Sequence, residues 1–179
     1  NPPPPLPWGC FFERKSMKHI VKFSGGLGSW AAAKRVAEKH GADDLILLFT
    51  DTKTEDPDLY RFLRESAENV GGELIEIADG RDIWQVFNDV RYMGNSRADP
   101  CSKILKRELS EQWIKERFKP DDCIIYLGID WSEIHRTEAI KTRTLPYQVS
   151  FPMCDPPYLS KAQIRKWLKE EGIEIPRLY

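Results

Sequence analysis

Chemistry is best sought in residues 23–32, Phe-Ser-Gly-Gly-Leu-Gly-Ser-Trp-Ala-Ala, where three glycines and two serines join an apolar run to a helical one. Glycine lets backbone N–H groups approach an anion without a Cβ in the way, and the helix that follows offers unpaired N–H groups and a positive dipole end. Phosphate is the ligand such a turn suits. Ser24 and Ser29 add hydroxyls on either side of Gly25, Gly26 and Gly28. A P-loop is excluded, because no Lys stands where G-x-x-x-x-G-K-[ST] requires one. Two readings stay open on the loop alone. Gly26, Gly28 and Ala31 satisfy G-x-G-x-x-A, with Asp51 about twenty residues on, as in a dinucleotide site; Ser-Gly-Gly-x-x-Ser instead describes a pyrophosphate cradle.

Three further polar groups could complete the site. Asp51 and Thr52 follow an apolar run and should face the Ser24 loop, since ligands of open α/β sheets lie at strand carboxyl ends. Between positions 97 and 107, Arg97, Lys103, Lys106 and Arg107 stand against Asp99 alone. Lys103, Lys106 and Arg107 at i, i+3, i+4 would share one helix face, with Cys101 at its mouth. Gly128, Glu133 and Arg136 follow another apolar run, and Arg136 could reach a phosphate; His135 reads as a surface residue.

The elements that must position these groups read as alternating strands and helices. Residues 19–23, 45–50, 73–77 and 123–127 read as strands, and the near-continuous apolar run 45–50 is typical of a parallel strand buried on both faces. Helices are expected over 30–40 with Gly41 as C-cap, over 57–70 with Asp56 as N-cap and Pro57 first, and over 83–90. Trp84 and Phe87 in the last of these are expected in the core. Further helices run from Ser102 to about Phe118, open at Glu133 to Arg136, and follow the Ser160/Gln163 capping box, closed by Gly172. A proline-rich crossing covers 153–158.

With 179 residues, 41% hydrophobic and 31% charged, the chain suits one domain, expected over 17–179 behind a proline-rich leader at 1–16. The leader reads as a linker, an expression remnant or an arm, and the abrupt ending at 173–179 suggests a polypeptide that continues. A net charge of -1 offers no global attraction to nucleic acid or membrane. No apolar run has the length of a membrane span and no signal-peptide pattern occurs, so a soluble, cytoplasmic protein is expected. Cys10, Cys101, Cys123 and Cys154 form no C-x-x-C pair, which argues against a zinc site or a disulfide framework.

Taken in order, several stretches resemble one family, the phosphoadenosine phosphosulfate (PAPS) reductase-like branch of the PP-loop, or adenine nucleotide α-hydrolase, superfamily. Residues 24–29 resemble its phosphate loop, 49–62 its Asp-Thr edge and acidic-Pro-Tyr helix start, and 101–108 its Cys-x-x-x-Lys-type basic helix. Residues 127–136 are similar to its Gly-x-x-x-x-Glu-x-x-Arg segment, and 167–179 to its closing helix and Pro-x-Leu-Tyr ending. The resemblance implies a Rossmann-like three-layer α/β sandwich with a mainly parallel five-stranded sheet. It implies ATP or a related adenine nucleotide across the strand ends, with Mg²⁺ as companion, and attack on the α-phosphate that adenylates an acceptor or leads to sulfur transfer. On that basis Lys103, Arg136 and Asp51 are the expected catalytic residues. Ser24, Gly25, Gly26, Gly28, Ser29, Asp51, Thr52, Cys101, Lys106, Arg107, Gly128 and Glu133 are the expected nucleotide ligands. The acceptor is open, nucleic acid among the candidates, as is a homodimer. Many pyrophosphatase members carry Asp where this chain has Gly28, and PAPS reductases use a redox Cys in a C-terminal tail that is not seen here. PAPS reduction itself is therefore not expected; a nucleotide-binding or sensing module without catalysis is the alternative, ahead of an NAD-dependent oxidoreductase that would bind through Gly26, Gly28 and Asp51.

Overall fold

The computed structural model describes residues 16–94 and 99–179, so Cys10, nearly all of the proline-rich leader, and Arg97 lie outside the described residues. Five strands, β1 (Lys18–Lys22), β2 (Leu45–Asp51), β3 (Glu73–Ala78), β4 (Cys123–Leu127) and β5 (Gln148–Ser150), form one sheet in the order β3-β2-β1-β4-β5. Every pairing is parallel, with Val21 opposite Leu47 on one side and Tyr126 on the other. The expected α/β sandwich is thus observed, with the sheet parallel throughout.

The apolar run of β2 explains why helices cover both faces. Its side chains alternate between two cores: Leu45, Leu47 and Phe49 join Val21, Phe23 and Trp30, while Ile46 and Leu48 join Ile20, Ile114 and Ile125. Helices α1 (Leu27–His40), α2 (Pro57–Val70) and α6 (Lys161–Glu170) bring Trp30, Phe62 and Leu168 to the first core. Ile114, on α4 (Leu109–Arg117), closes the second. The remaining helices are α3 (Ile83–Val90) and α5 (Thr137–Thr144). No helix among the described residues is long and apolar enough to cross a membrane.

The capping signals are realised side chain by side chain. Asp56 accepts a hydrogen bond from the Asp58 N–H with Pro57 in the first turn, Gly71 ends α2 in the left-handed region at φ 83°, and Ser160 and Gln163 form their box. Four local expectations are corrected. The helix expected from Ser102 begins as a π-helix over Ser102–Glu108 before passing into α4. The one expected to open at Glu133 instead begins with 3-10 turns over Trp131–Arg136, because Asp130 caps the Ser132 N–H two residues earlier. Trp84 is 63% exposed and packs edge-on against Phe87, since Val86 is the residue that α3 buries. Strand β5 escaped the sequence reading because it is only three residues long in a proline-rich neighbourhood; register with β4, not pattern, makes it a strand.

Candidate functional site

Chain order reverses at β1, whose neighbours are β2 and β4, and the carboxyl ends of β1 and β4 open a cleft of about 440 Å³ there. Lys22, Ser24 and Ser29 contribute from β1 and its loop, Gly128, Glu133 and Arg136 from the β4 tip. Thr50 of β2 and Lys106 and Arg107 of the π-helix complete the wall. A second hollow of about 460 Å³, bordered by Arg35, Pro157 and Trp167, lies along α1 and α6, away from the glycine loop.

The loop after β1 is held by its own serine. Ser29, 5% exposed, donates its hydroxyl to the Gly26 carbonyl at 2.8 Å and accepts the Gly26 N–H at 3.2 Å; Ser24 donates to Ser29 Oγ at 3.3 Å. The Trp30 N–H closes the first helical bond onto Gly26 at 3.1 Å. The first-turn N–H groups between them have no intrahelical acceptor and point out of the helix end, which is how an anion site is made. Gly25 takes the left-handed region at φ 71°, where a side chain would be strained, and a Cβ there would stand 2.8 Å from Leu59 Cδ2.

Gly28 and Gly128 bring the two loops together. A Cβ on Gly128 would lie 2.7 Å from the Gly28 carbonyl, and one on Gly28 would lie 3.0 Å from the Gly128 oxygen. A side chain at position 28 would therefore start in tight contact with the β4 tip. Among the described residues no three His, Cys, Asp or Glu side chains converge, Glu133 is bound by Arg136 at 2.5 Å, and Asp51 accepts from Tyr60 and from the Lys53 N–H, each at 2.7 Å. The residues do not fit a protein-built magnesium site.

The expected ligands divide accordingly. Ser24, Ser29, Lys106, Arg107, Gly128, Glu133 and Arg136 line one cleft. Thr52, buried, donates to Glu55 Oε1 at 3.0 Å, and the same oxygen accepts from Lys106 at 2.9 Å, tying the β2 tip to the basic helix. Asp51 supports this edge through Tyr60, whose hydroxyl is held protonated by burial and by that carboxylate. Lys103 is not part of the cleft wall: its side chain, 57% exposed, reaches Glu108 at 3.5 Å. The wider winding of a π-helix turns Lys106 off the face of Lys103 and brings Glu108, five residues on, within reach of Lys103. Cys101 also stays out of the wall, with Sγ 3.8 Å from the Ile83 carbonyl, and burial and then Asp99 raise its thiol above the ordinary range.

Two residues join this picture that the sequence reading left without a role. Lys22 ends β1 inside the cleft; a cation closing an apolar strand was the signal available for it. Tyr179 comes from the other end: a Cβ on Gly26 would lie 2.7 Å from its hydroxyl. Arg177 holds that segment by gripping Asp56 through Nε at 3.0 Å and Nη2 at 2.6 Å, while its N–H donates to Asp58 at 2.8 Å.

No protein-family profile matches the chain, and no curated protein sequence matches it either. Solved structures do. An NH3-dependent NAD synthetase from Campylobacter jejuni, in complex with nitrate ion, superimposes with a TM-score of 0.59 over 90% of this chain and 67% of its own, at 12% identity. An NMN synthetase from Francisella tularensis gives 0.59 over 89% of this chain and 63% of its own, at 15% identity. What the chain shares with these synthetases is the five-stranded parallel α/β fold, over roughly two thirds of their length.

Proposed function

We propose that this protein is a PP-loop enzyme of the PAPS reductase-like kind that binds ATP or a related adenine nucleotide and acts at its α-phosphate. The observation that carries the reading is the convergence, at the sheet's switch point, of the N-terminal turn of α1 with the cationic side chains of Lys22, Lys106, Arg107, Arg136 and Arg143 around one cleft. Phosphoryl-type transfer depends more on positioning and charge neutralisation than on a covalent side chain, and this wall supplies both. The likeness in fold to an NAD synthetase and an NMN synthetase supports the same reading.

In the proposed reaction an acceptor oxygen attacks the α-phosphorus. The bond from that phosphorus to the bridging oxygen breaks, and pyrophosphate leaves with the electron pair. The loop N–H groups hold the departing pyrophosphate, while Arg107 and Arg136 balance charge that develops on the α-phosphoryl oxygens. A nucleic-acid group is one acceptor in keeping with this chemistry, and attack on its adenylated carbon by an added sulfide- or ammonia-level nucleophile, with AMP leaving and carrying off the oxygen, would complete the transfer.

ATP-dependent pyrophosphate release by the wild type, compared with Ser24→Ala, Gly26→Val, Lys103→Ala and Arg107→Ala, tests the proposal. Failure of the folded wild type to bind or turn over any adenine nucleotide rejects it. A second reading, nucleotide binding without turnover, draws on Gly28, which stands close against Gly128 and brings no acidic side chain to the loop. Saturable binding without pyrophosphate release, with candidate acceptors present, would favour it.

A further inference from the structure

Lys22 is an unusual ending for a buried strand. Its side chain is 21% exposed, lies between the ends of β2 and β4 opposite Leu48 and Leu127, and lines the cleft. Among the described residues its ion-pair partner is Glu111, whose Oε1 stands 4.0 Å away, at the limit of such a pair. Its other charged neighbours are cations: Arg143 from α5, Arg107 from the π-helix and Lys115 from α4. The two acids closest to the cleft walls are already engaged, Glu55 by Lys106 at 2.9 Å and Glu133 by Arg136 at 2.5 Å. An ammonium group so placed is short of counter-charge, and its side chain, though mostly covered, lines the cleft.

We propose that Lys22 is the charge-matching ligand of this cleft, binding a phosphate of the incoming nucleotide from the floor. The inference rests on the nucleotide reading above and adds a selection rule: the site prefers multiply charged phosphate esters, because only they supply the charge that Lys22 lacks. Burial, only partly offset by Glu111, pulls its ammonium down to about 8, so near neutral pH a sizeable minority of free molecules hold it uncharged. A phosphate beside it favours the charged form. Binding above pH 8 must then draw a proton from solvent, and affinity must fall as that proton becomes scarce.

Isothermal titration with α,β-methylene ATP at pH 7 and pH 9, each in two buffers of different ionisation enthalpy, reads both effects on the wild-type protein. Affinity about tenfold weaker at pH 9, with net proton uptake, is expected. Lys22→Arg should bind with no such slope, and its profile cancels ionisation of the ligand itself. Lys22→Met should bind about tenfold more weakly at pH 7, again without slope. A wild-type slope no steeper than that of Lys22→Arg, or absence of proton uptake, overturns the proposal, and the second readout needs no variant to fold. Inorganic pyrophosphate separates the two levels. If it binds with the Lys22 signature while the nucleotide analogue does not bind, the nucleotide reading fails and the role of Lys22 survives; if neither binds, both fail.

Discussion

Gly28 and Gly128 meet backbone to backbone: a Cβ built on Gly128 would lie 2.7 Å from both the carbonyl carbon and oxygen of Gly28, and 2.8 Å from Ser29 Cα. The start of α1 and the tip of β4 thereby approach at a separation that a Cβ on Gly128 would disrupt and one on Gly28 would crowd. Gly128→Ala must push main chain against main chain, and we expect a loss of about 1–3 kcal/mol in stability with weakened nucleotide binding. Gly26→Ala is the contrast, because the atom it meets is the hydroxyl of the half-exposed Tyr179, which can swing aside. Thermal melts of the two variants should rank Gly128→Ala as clearly the less stable; equal melting temperatures would refute the contact.

Ser29 is expected to matter more for stability than Ser24. Ser29→Ala leaves the Gly26 N–H without its buried acceptor, a cost of about 1–3 kcal/mol, and loosens the phosphate loop. Ser24→Ala removes one long hydrogen bond and should change stability by less than about 1 kcal/mol while weakening ligand binding. Urea denaturation with and without nucleotide measures both.

The fold holds Lys22 below the lysine range, so an unfolded chain binds its proton more tightly than the native one. Native stability should therefore rise with pH between about 8 and the ordinary lysine range, and the charge costs stability at pH 7. Lys22→Met should stabilise the ligand-free protein by roughly 1–3 kcal/mol at pH 7, and the gain should shrink toward pH 10. Denaturant midpoints at the two pH values decide it; a variant less stable at pH 7 would contradict the argument.

Among the cations, distance from the cleft should rank the effects. Arg107→Ala and Lys106→Ala remove charge that faces the ligand and should each weaken nucleotide binding by about 1–2 kcal/mol. Lys103→Ala removes an exposed cation paired with Glu108 and should change binding by less than twofold. Affinities of the three variants at one ionic strength give the order, and a Lys103 effect as large as that of Arg107 would show the π-helix to be wound differently in solution.

Much of the framework was legible because it is written in local signals. The alternation of β1, the two-sided apolar run of β2, the Asp56-Pro57 start and the Ser160/Gln163 box each act within a few residues, and they place four of the five strands and most helix ends. The site was legible only in part. Ser24, Ser29, Gly128, Glu133, Arg136, Lys106 and Arg107 were expected at strand tips or on the basic helix and share one cleft, whereas Lys103, Cys101, Asp51, Thr52, Gly25, Gly26 and Gly28 do not line it. Helical periodicity assumes α-winding, and the π-turns over Ser102–Glu108 give the same spacing a different direction.

By itself the sequence determined the α/β class and a phosphate-suited loop, because glycine, apolar alternation and capping side chains act on neighbouring residues. Only the tertiary structure decided that Gly28 is opposed by Gly128, that Lys22 enters the cleft short of counter-charge, and that Tyr179 reaches Gly26. Those relations join residues up to 153 positions apart, and they follow from how the strands order themselves around β1 rather than from any pattern along the chain.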